Sequence, residues 1–274
     1  MSPTFKTTIV AIFATVLLSA SGVVFADEDN KSVHKNSAGY PLLHAVAHED
    51  LAEVKRLLSA GENPNGVRDD DGWTALMFAA RKEVRAEIVK ALLTAGANPN
   101  IVKDDGWTAL MLAAAFGNAE IVKILLSSDA NPNMAADNSG TALMFAAQEG
   151  HAKIVEALLS SEANPNTERD DGGTALMLAA YKGQPEVVKI LLSAGANPDK
   201  IDDNDKNAWS YAENNPLTNR TLQEHFGNLS MSWVEKAANQ TATNLFFLFG
   251  GFFLFMACFL VLLSIIAIIL WKRK

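Results

Sequence analysis

Cysteine is nearly absent from this chain. Its one cysteine among 274 residues is Cys258, which lies in an apolar run close to the C-terminus. The rest of the chain therefore has no disulfide, no catalytic thiol and no cysteine-ligated zinc site. The lack of disulfides fits an oxidising compartment without demanding one.

Basic residues are in the minority, and the familiar catalytic motifs are missing. The chain has 23 Lys and Arg against 31 Asp and Glu, for a net charge of −8. Duplex nucleic acid is a disfavoured partner, because such binding relies on basic residues that neutralise phosphates. The sequence has no Gly-x-Ser-x-Gly, His-Glu-x-x-His, phosphate loop or dinucleotide fingerprint. We therefore predict that the chain is no enzyme and binds no cofactor.

Charge is also scarce at the N-terminus, where Lys6 is the only charged residue before Asp27. An apolar stretch and small residues follow Lys6 and end in Val-Phe-Ala. This order is typical of a secretory signal peptide, so we predict that residues 1–26 are removed and that 27–38 form a polar leader. The alternative is an uncleaved signal anchor, although the apolar stretch is short for a spanning helix.

Near the C-terminus, residues 244–271 contain no charge at all. As a helix they would extend roughly 40 Å, which is long enough to cross a bilayer with some tilt. Trp271 and the basic tail, residues 272–274, predict a cytoplasmic C-terminus by the positive-inside rule. The sequence thus predicts a single-pass membrane protein. Its middle would face the periplasm or another extracytoplasmic side, joined to the membrane by a linker at 227–243.

Small residues recur every seven positions in the predicted transmembrane helix, at Gly250, Ala257 and Ser264. Small residues on one face let a second helix approach closely, so this row is our candidate for self-association in the membrane. The alternative is that small residues are ordinary in such helices.

The middle of the chain repeats itself. The motif Thr-Ala-Leu-Met-(Phe/Leu)-Ala-Ala begins at Thr74, Thr108, Thr141 and Thr174, with spacings of 34, 33 and 33 residues. An apolar pattern with helical spacing follows each motif, and an Asn-Pro turn ends it. These features predict pairs of helices that bury their apolar faces against neighbouring copies.

The repeated unit resembles the ankyrin repeat, in which a turn, two helices and a Gly-Ala-x-x-Asn segment alternate. The matching residues in one copy are Gly72, Thr74, Leu76, Ala79 and Ala80. The resemblance implies an all-α ankyrin-repeat solenoid over residues 39–226, with about five repeats, a C-terminal cap and a concave surface that binds rather than catalyses. Together with the single C-terminal transmembrane helix, this is the fold that we expect.

Departures from the family pattern lead to three local predictions. The family proline and histidine are replaced by alanine and methionine, and His44 would be the one histidine retained, in the first copy. The second copy has an extra residue within Arg81–Ala86 and lacks a glycine, so this turn should be the least regular. In the last copy Glu213 replaces an alanine of the stacking face, which marks a terminal cap.

The turns between copies are acidic, and two of them carry tryptophan. We predict that Trp73 and Trp107 lie side by side and, with nearby aspartates, contact a protein that has basic groups. The alternative is that Asp-Gly pairs are ordinary turn residues and that each tryptophan packs on its neighbour. The aspartates are Asp70, Asp71, Asp104, Asp105, Asp170 and Asp171.

No metal site is predicted. The segment that starts at Asp203 resembles the start of an EF-hand loop, but Ala208 and Asn214 occupy the positions of its glycine and glutamate. The repeated methionines could form a thioether ladder for a soft metal, or simply fill the core. His44 and His48 are four residues apart, but no third ligand is evident.

These features together predict a membrane-tethered module for protein–protein interaction, a scaffold facing the periplasm or the cell exterior. Resemblance to small exported bacterial ankyrin proteins implies a Gram-negative source. Two alternatives from other classes remain open: a protein that binds a metal or cofactor and protects it, and a structural protein that assembles through its transmembrane helix.

Overall fold

The computed structural model describes residues 40–67 and 71–226. The predicted signal peptide, polar leader, linker, transmembrane helix and basic tail lie outside these residues, as do Asp70, Gly250, Ala257 and Ser264. Among the helices that are described, none is long and apolar enough to span a bilayer. The chain divides between residues 218 and 219, and all the helix pairs described below lie before this division.

Each repeat is a pair of helices. The first helices are α1 (Pro41–Ala47), α3 (Ala75–Ala80), α5 (Ala109–Ala115), α7 (Ala142–Glu149) and α9 (Ala175–Lys182). The second helices are α2 (Leu51–Ser59), α4 (Ala86–Thr94), α6 (Ala119–Leu126), α8 (Ala152–Ser160) and α10 (Pro185–Ser193). First helices pack on first helices of neighbouring repeats, and second helices on second helices. The series of first helices continues to a short helix, α11 (Ala208–Ala212), which packs on α9. The prediction of an all-α repeat solenoid is thus confirmed for the helix pairs of residues 40–67 and 71–212.

A threonine starts the first helix of four repeats. The Thr108 Oγ1 accepts a hydrogen bond from the Met111 N–H at 3.2 Å, and Thr141 and Met144 make the same bond at 3.4 Å. Such a cap satisfies one of the backbone donors that a helix leaves open at its N-terminus. The methionines point into the core and are 1–3% exposed. Core filling therefore explains why a methionine recurs in each motif.

The first copy is shifted by one residue from the register that we expected. Its helix begins at Pro41, which takes the place of Ala75, so Leu43 rather than His44 stands at the position of Met77. Leu43 is buried, whereas His44 is exposed. The prediction that the first copy retains the family histidine is therefore wrong. Proline at the first position of a helix needs no hydrogen-bonded N–H, which explains why the helix starts there.

The second copy has the irregular turn that the extra residue predicts. Its two helices are joined by a 3₁₀ turn, Glu83–Arg85, and the Arg85 side chain is buried. The guanidinium donates to the carbonyls of Phe78 at 2.8 Å and of Ala47 at 3.1 Å. In the third copy the matching turn has Gly117 at φ +78°, where a β-carbon would come within 2.7 Å of the His151 ring. In the second copy, hydrogen bonds from Arg85 thus stabilise the turn. In the third copy, a glycine in the left-handed conformation forms the matching turn.

Asparagines in the turns that follow the second helices link successive repeats. The Asn100 Nδ2 donates to the Asp129 carbonyl at 2.9 Å, and its Oδ1 accepts from the Asn131 N–H at 2.8 Å. Equivalent pairs of bonds are made by Asn65, Asn133 and Asn166. At the last turn Asp199 takes this position, and its carboxylate can accept hydrogen bonds but cannot donate one. The Asn-Pro-Asn turn therefore does more than end a helix, because it connects one repeat to the next.

The last copy has the features of a terminal cap. Asn207 replaces the capping threonine, and its Oδ1 accepts from the Ser210 N–H at 3.0 Å at the start of α11. Glu213 is exposed. A polar residue in place of a stacking alanine disfavours the packing of a further first helix at this position, as expected for a capping repeat.

Candidate protein-binding face

Between repeats the chain forms tight hairpin turns, which we call the hairpins. In the third repeat the Lys103 N–H donates to the Trp107 carbonyl at 3.0 Å, and the Gly106 N–H donates to the Lys103 carbonyl at 2.8 Å. Gly106 has φ +79°, and a β-carbon there would lie 2.8 Å from the Asp137 nitrogen of the next hairpin. Glycine at this position thus allows both the turn and the close approach of its neighbour.

Neighbouring hairpins bond to one another. The Asp137 N–H donates to the Asp105 carbonyl at 3.0 Å, and the Asp203 N–H donates to the Asp171 carbonyl at 3.0 Å. Between the fourth and fifth repeats a side chain makes the link, because the Ser139 hydroxyl lies 2.5 Å from a carboxylate oxygen of Asp170. These bonds hold the hairpins as one connected series, so the backbones at their tips have fixed spacing.

The acidic residues of the hairpins fall into two rows with different roles. The inner row consists of Asp71, Asp105 and Asp171, and each accepts a hydrogen bond from the backbone N–H two residues further on. Asp105 also pairs with Lys103, and Asp171 with Arg169. Burial disfavours the ionised form of Asp171, but the hydrogen bonds from Arg169 and Gly173 outweigh it and hold the pKa of Asp171 below its ordinary value. The inner row serves the turns themselves.

The outer row consists of the aspartates one position before the inner aspartate of each hairpin, or before the asparagine in its place, Asn138 or Asn204. All four that the structure describes are exposed: Asp104, Asp137, Asp170 and Asp203. They recur at intervals of 33 residues. The outer row therefore presents a line of carboxylates to solvent. Of the aspartates predicted to bind a partner, Asp104 and Asp170 belong to this row, whereas Asp71, Asp105 and Asp171 belong to the inner row.

The two tryptophans differ in their surroundings. Trp73 is only 8% exposed, and its ring packs against Phe78 with 4.7 Å between centroids. The guanidinium carbon of Arg81 and the ammonium of Lys103 each lie 5.5 Å from the Trp73 ring. Trp73 is thus enclosed by its own helix and the next hairpin, and its contacts are those of a packed residue.

Trp107 is half-buried and stacks on an aromatic ring of the next repeat. Its ring centroid is 4.2 Å from that of Phe145, with 24° between the planes. One face of the indole is therefore covered by the protein. This contact with Phe145 is not evident from the sequence, since the two residues are 38 positions apart.

A cleft beside the fifth hairpin contains residues that sequence reasoning missed. It has a volume of about 30 Å³ and is lined by Gly173, Leu178, Tyr181 and Tyr211, among others. The Tyr211 hydroxyl bonds the carboxylate of Asp202, which also accepts from the backbone of Asn204 and Lys206. The sequence contains one indication of this cleft: in the last copy, Tyr211 takes the place of the phenylalanine or leucine of the repeated motif.

Metal-binding clusters do not occur in the part of the chain that the structure describes: no group of three or more His, Cys, Asp and Glu side chains is suitably placed there. The rings of His44 and His48 are in contact, with centroids 4.1 Å apart, and the His48 Nδ1 lies 2.9 Å from the His44 carbonyl. The two histidines thus contact each other and the helix backbone.

Stacked helix pairs whose hairpins form one exposed series define a helical repeat protein of the kind that binds other proteins. The chain matches the model for ankyrin repeats, three copies, over residues 22–103, 42–136, 82–169 and 128–207. These overlapping matches cover more than half of the chain, which therefore belongs to the ankyrin-repeat family. Proteins of this family are typically interaction modules rather than enzymes. A search among curated proteins finds no match.

Proposed function

We propose that the array binds a partner protein with a basic surface through the outer row, Asp104, Asp137, Asp170 and Asp203, together with the exposed part of Trp107. The observation that carries this proposal is the bonding between hairpins, which fixes the backbone positions from which four exposed aspartates extend. A pre-organised backbone loses little conformational entropy on binding, so these hairpins form a better binding surface than four mobile loops.

Charge also favours a basic partner. Lys103 pairs with Asp105 and Arg169 with Asp171, so each pair largely cancels its own charge and the outer row supplies most of the net negative charge at these tips. Carboxylates of one sign in a row raise the rate of encounter with a basic surface, and the effect declines as salt is added. Trp107 contributes apolar area of the kind that anchors many interfaces.

The test is crosslinking capture from native membranes with the tagged full-length chain. The first variant changes all four residues of the outer row to asparagine. The matched control changes four exposed glutamates of the second helices, Glu87, Glu120, Glu156 and Glu186, to glutamine, and so removes the same amount of charge elsewhere. We expect specific proteins to be captured by the parent and the control but lost with the outer-row variant. Equal capture by all three proteins would show that the outer row is not the binding site.

A Trp107→Ala variant tests the aromatic part of the site. We expect capture to fall while the fold is kept, because Trp107 is only half-buried. Trp73→Ala is unsuitable for this purpose, since Trp73 is enclosed and its truncation would create a cavity.

We further propose that the array is exported and tethered to a membrane, with its C-terminus in the cytoplasm. Support comes from the uncharged residues 244–271 and the basic residues 272–274 that follow. Tethering would raise the effective concentration of a bound partner at the membrane without any new contact.

Fractionation tests the tether. The full chain should stay with membranes through an alkaline wash, and a chain that lacks residues 244–274 should be released in soluble form. The mass of the mature protein should show a start at Asp27. Release of the full chain by the wash would exclude the anchor, and an intact N-terminus would favour the uncleaved signal anchor.

Self-association through the predicted transmembrane helix is a separate part of this proposal. If Gly250, Ala257 and Ser264 form a helix contact, Gly250→Leu and Ala257→Leu should each reduce crosslinked dimers in membranes. Ile265→Leu is the control, because it keeps an apolar side chain of similar size. If both leucine variants still form dimers, the seven-residue spacing has no role in association.

A further inference from the structure

The turn that joins the first and second repeats contains a chemically labile pair of residues. Asn65 is followed by Gly66, and the chain has no other Asn-Gly pair. Asparagine loses its side-chain amide most readily before glycine, because no β-carbon shields the backbone nitrogen that attacks it. The equivalent asparagines of the next three junctions are followed by bulkier residues, Ile101, Met134 and Thr167.

The fold does not require glycine at position 66. A β-carbon there would lie 3.4 Å from the Asn63 carbonyl oxygen, which is an ordinary contact, and Gly66 does not have a positive φ. Gly106, by contrast, has φ +79° and leaves no room for a side chain. Alanine could therefore replace Gly66 without strain, so backbone geometry does not explain why glycine follows this asparagine.

In the folded state both reacting groups are engaged in hydrogen bonds. The Asn65 Nδ2 donates to the Gly96 carbonyl at 3.0 Å, and its Oδ1 accepts from the Asn98 N–H at 2.7 Å. The Gly66 N–H, whose nitrogen would attack, donates to the Asn63 carbonyl at 3.2 Å. The side chain must leave the second repeat before it can react, so the reaction requires that this junction opens.

The first junction is well placed to open. Within the part of the chain that the structure describes, the first helix pair packs on a neighbouring pair on one side only. End units of a repeat array open locally at a lower free energy than internal units. Asn65 is only half-buried, so water reaches the turn when it opens. The labile pair thus lies at the junction where opening costs less than further along the array.

We propose that Asn65 is a deamidation site and that its conversion unlinks the first repeat from the second. When the junction opens, the Gly66 nitrogen attacks Cγ of Asn65 and forms a new C–N bond. The bond from Cγ to Nδ2 breaks, and the amide nitrogen leaves as ammonia with the proton of the Gly66 nitrogen. Water then opens the cyclic imide to aspartate or isoaspartate.

Either product weakens the junction but leaves the turn able to form. A carboxylate cannot donate to the Gly96 carbonyl, and its charge is repelled by that oxygen. The turn itself accepts aspartate, because the Asp199 N–H donates to the Asn197 side chain at 2.9 Å, as the Asn65 N–H does to Asn63. Deamidation therefore removes the link between two repeats and not the local fold.

Incubation of the full-length chain in detergent micelles at mildly alkaline pH tests the reaction, with and without urea that unfolds the array. Digestion at acidic pH, where deamidation is slow, and peptide mass spectrometry then measure the product at each asparagine. We expect folded Asn65 to react about tenfold or more faster than Asn100, which makes the equivalent bonds, and unfolded Asn65 to react faster again. Gly66→Ala should slow Asn65 to the rate of Asn100.

Hydrogen exchange tests the consequence. The deamidated protein can be separated by ion exchange, because it has gained a negative charge. We expect its helix α2 to exchange several-fold faster than in the fresh parent, while α10 is unchanged. Asn65→Asp should exchange in the same way without incubation. Gly66→Ala is the matched control, and after the same incubation it should exchange as it did when fresh.

Three results would overturn the inference. Equal rates at Asn65 and Asn100 in the folded chain would show that the first junction is no deamidation site. Equal rates at Asn65 with and without urea would show that the hydrogen bonds of the junction do not control the reaction. If α2 exchanged as slowly in the deamidated protein and in Asn65→Asp as in the fresh parent, the reaction would not unlink the repeats.

Discussion

The Asn133 side chain joins the third and fourth repeats by bonding Asn164. Its Oδ1 accepts from the Asn164 N–H at 2.8 Å, while its Nδ2 donates to the Glu162 carbonyl at 3.0 Å. One amide thus bonds the backbone of the next repeat twice. Both bonds are exposed, so each contributes modestly, but they recur at each junction from Asn65 to Asn166.

Loss of one donor at this junction should destabilise the array. Asn133→Asp keeps the size of the side chain but replaces the donor to Glu162 with a carboxylate oxygen that faces a carbonyl. We expect the free energy of unfolding to fall by about 0.5–1.5 kcal/mol, measured by urea unfolding followed by circular dichroism. Asp199→Asn is the reverse change at the last turn and should be neutral. An equal loss in both variants would contradict the role of the asparagine bonds.

The capping threonines give a second prediction. Thr141→Ala removes the acceptor for the Met144 N–H at the start of α7, and the cost should be about 1 kcal/mol. Thr141→Ser keeps the acceptor and should retain most of the stability. Thermal unfolding of the two variants beside the parent checks this. Serine and alanine variants of equal stability would show that the cap contributes little.

Much of the fold could be predicted from the sequence because each repeat shows the same pattern of residues as its neighbours. Four copies of one motif with nearly constant spacing define the helix pairs, the core methionines and the cap. The register of the first copy could not be read in this way, since His44 matches a letter of the family motif while Pro41 sets the start of the helix. The start of the helix depends on the backbone geometry of Pro41, which the match of His44 to one residue of the family motif does not reveal.

The candidate site was harder to predict. Asp104 and Asp105 are neighbours in sequence, but only Asp105 accepts the Trp107 N–H and pairs with Lys103. Trp73 and Trp107 also occupy equivalent positions, yet one is enclosed and the other stacks on the next repeat. These differences arise from residues far along the chain, such as Phe145, and are visible only in three dimensions.

Arg85 gives a third prediction, which concerns its buried guanidinium. Burial lowers the pKa of Arg85 and Glu49 opposes this, but the group stays charged because arginine titrates far above neutral pH. Arg85→Met leaves the carbonyls of Phe78 and Ala47 without their donors, and we expect a loss of about 2–4 kcal/mol in urea unfolding.

The control for Arg85 is Lys82→Met. Lys82 pairs with the same Glu49 at 3.4 Å, but its side chain is exposed. Exposed pairs contribute little, so this variant should lose no more than about 0.5 kcal/mol. If the two methionine variants were equally stable, the ion pair with Glu49 rather than the buried carbonyls would account for the effect of Arg85.

The bond from Tyr211 to Asp202 should make stability depend on pH in the alkaline range. Burial, then the hydrogen bond to the Asp202 carboxylate, raise the pKa of Tyr211 above its ordinary value. Because the pKa of Tyr211 is higher in the folded than in the unfolded state, its protonated hydroxyl stabilises the fold fully below about pH 10. This stabilisation is lost as the pH rises further. The contribution should therefore be constant near neutrality.

Tyr211→Phe tests this dependence, because it removes the hydroxyl and leaves the ring in the cleft. We expect the variant to be less stable than the parent by about 1–2 kcal/mol at neutral pH, and the difference to shrink above about pH 10 as Tyr211 of the parent ionises on unfolding. Urea unfolding at a series of pH values measures the difference. Tyr181→Phe, which removes a hydroxyl from the exposed wall of the cleft, is the control and should lose little stability at neutral pH. A difference that stayed constant into the alkaline range would show that the hydroxyl of Tyr211 stabilises the cap by packing and not through its proton.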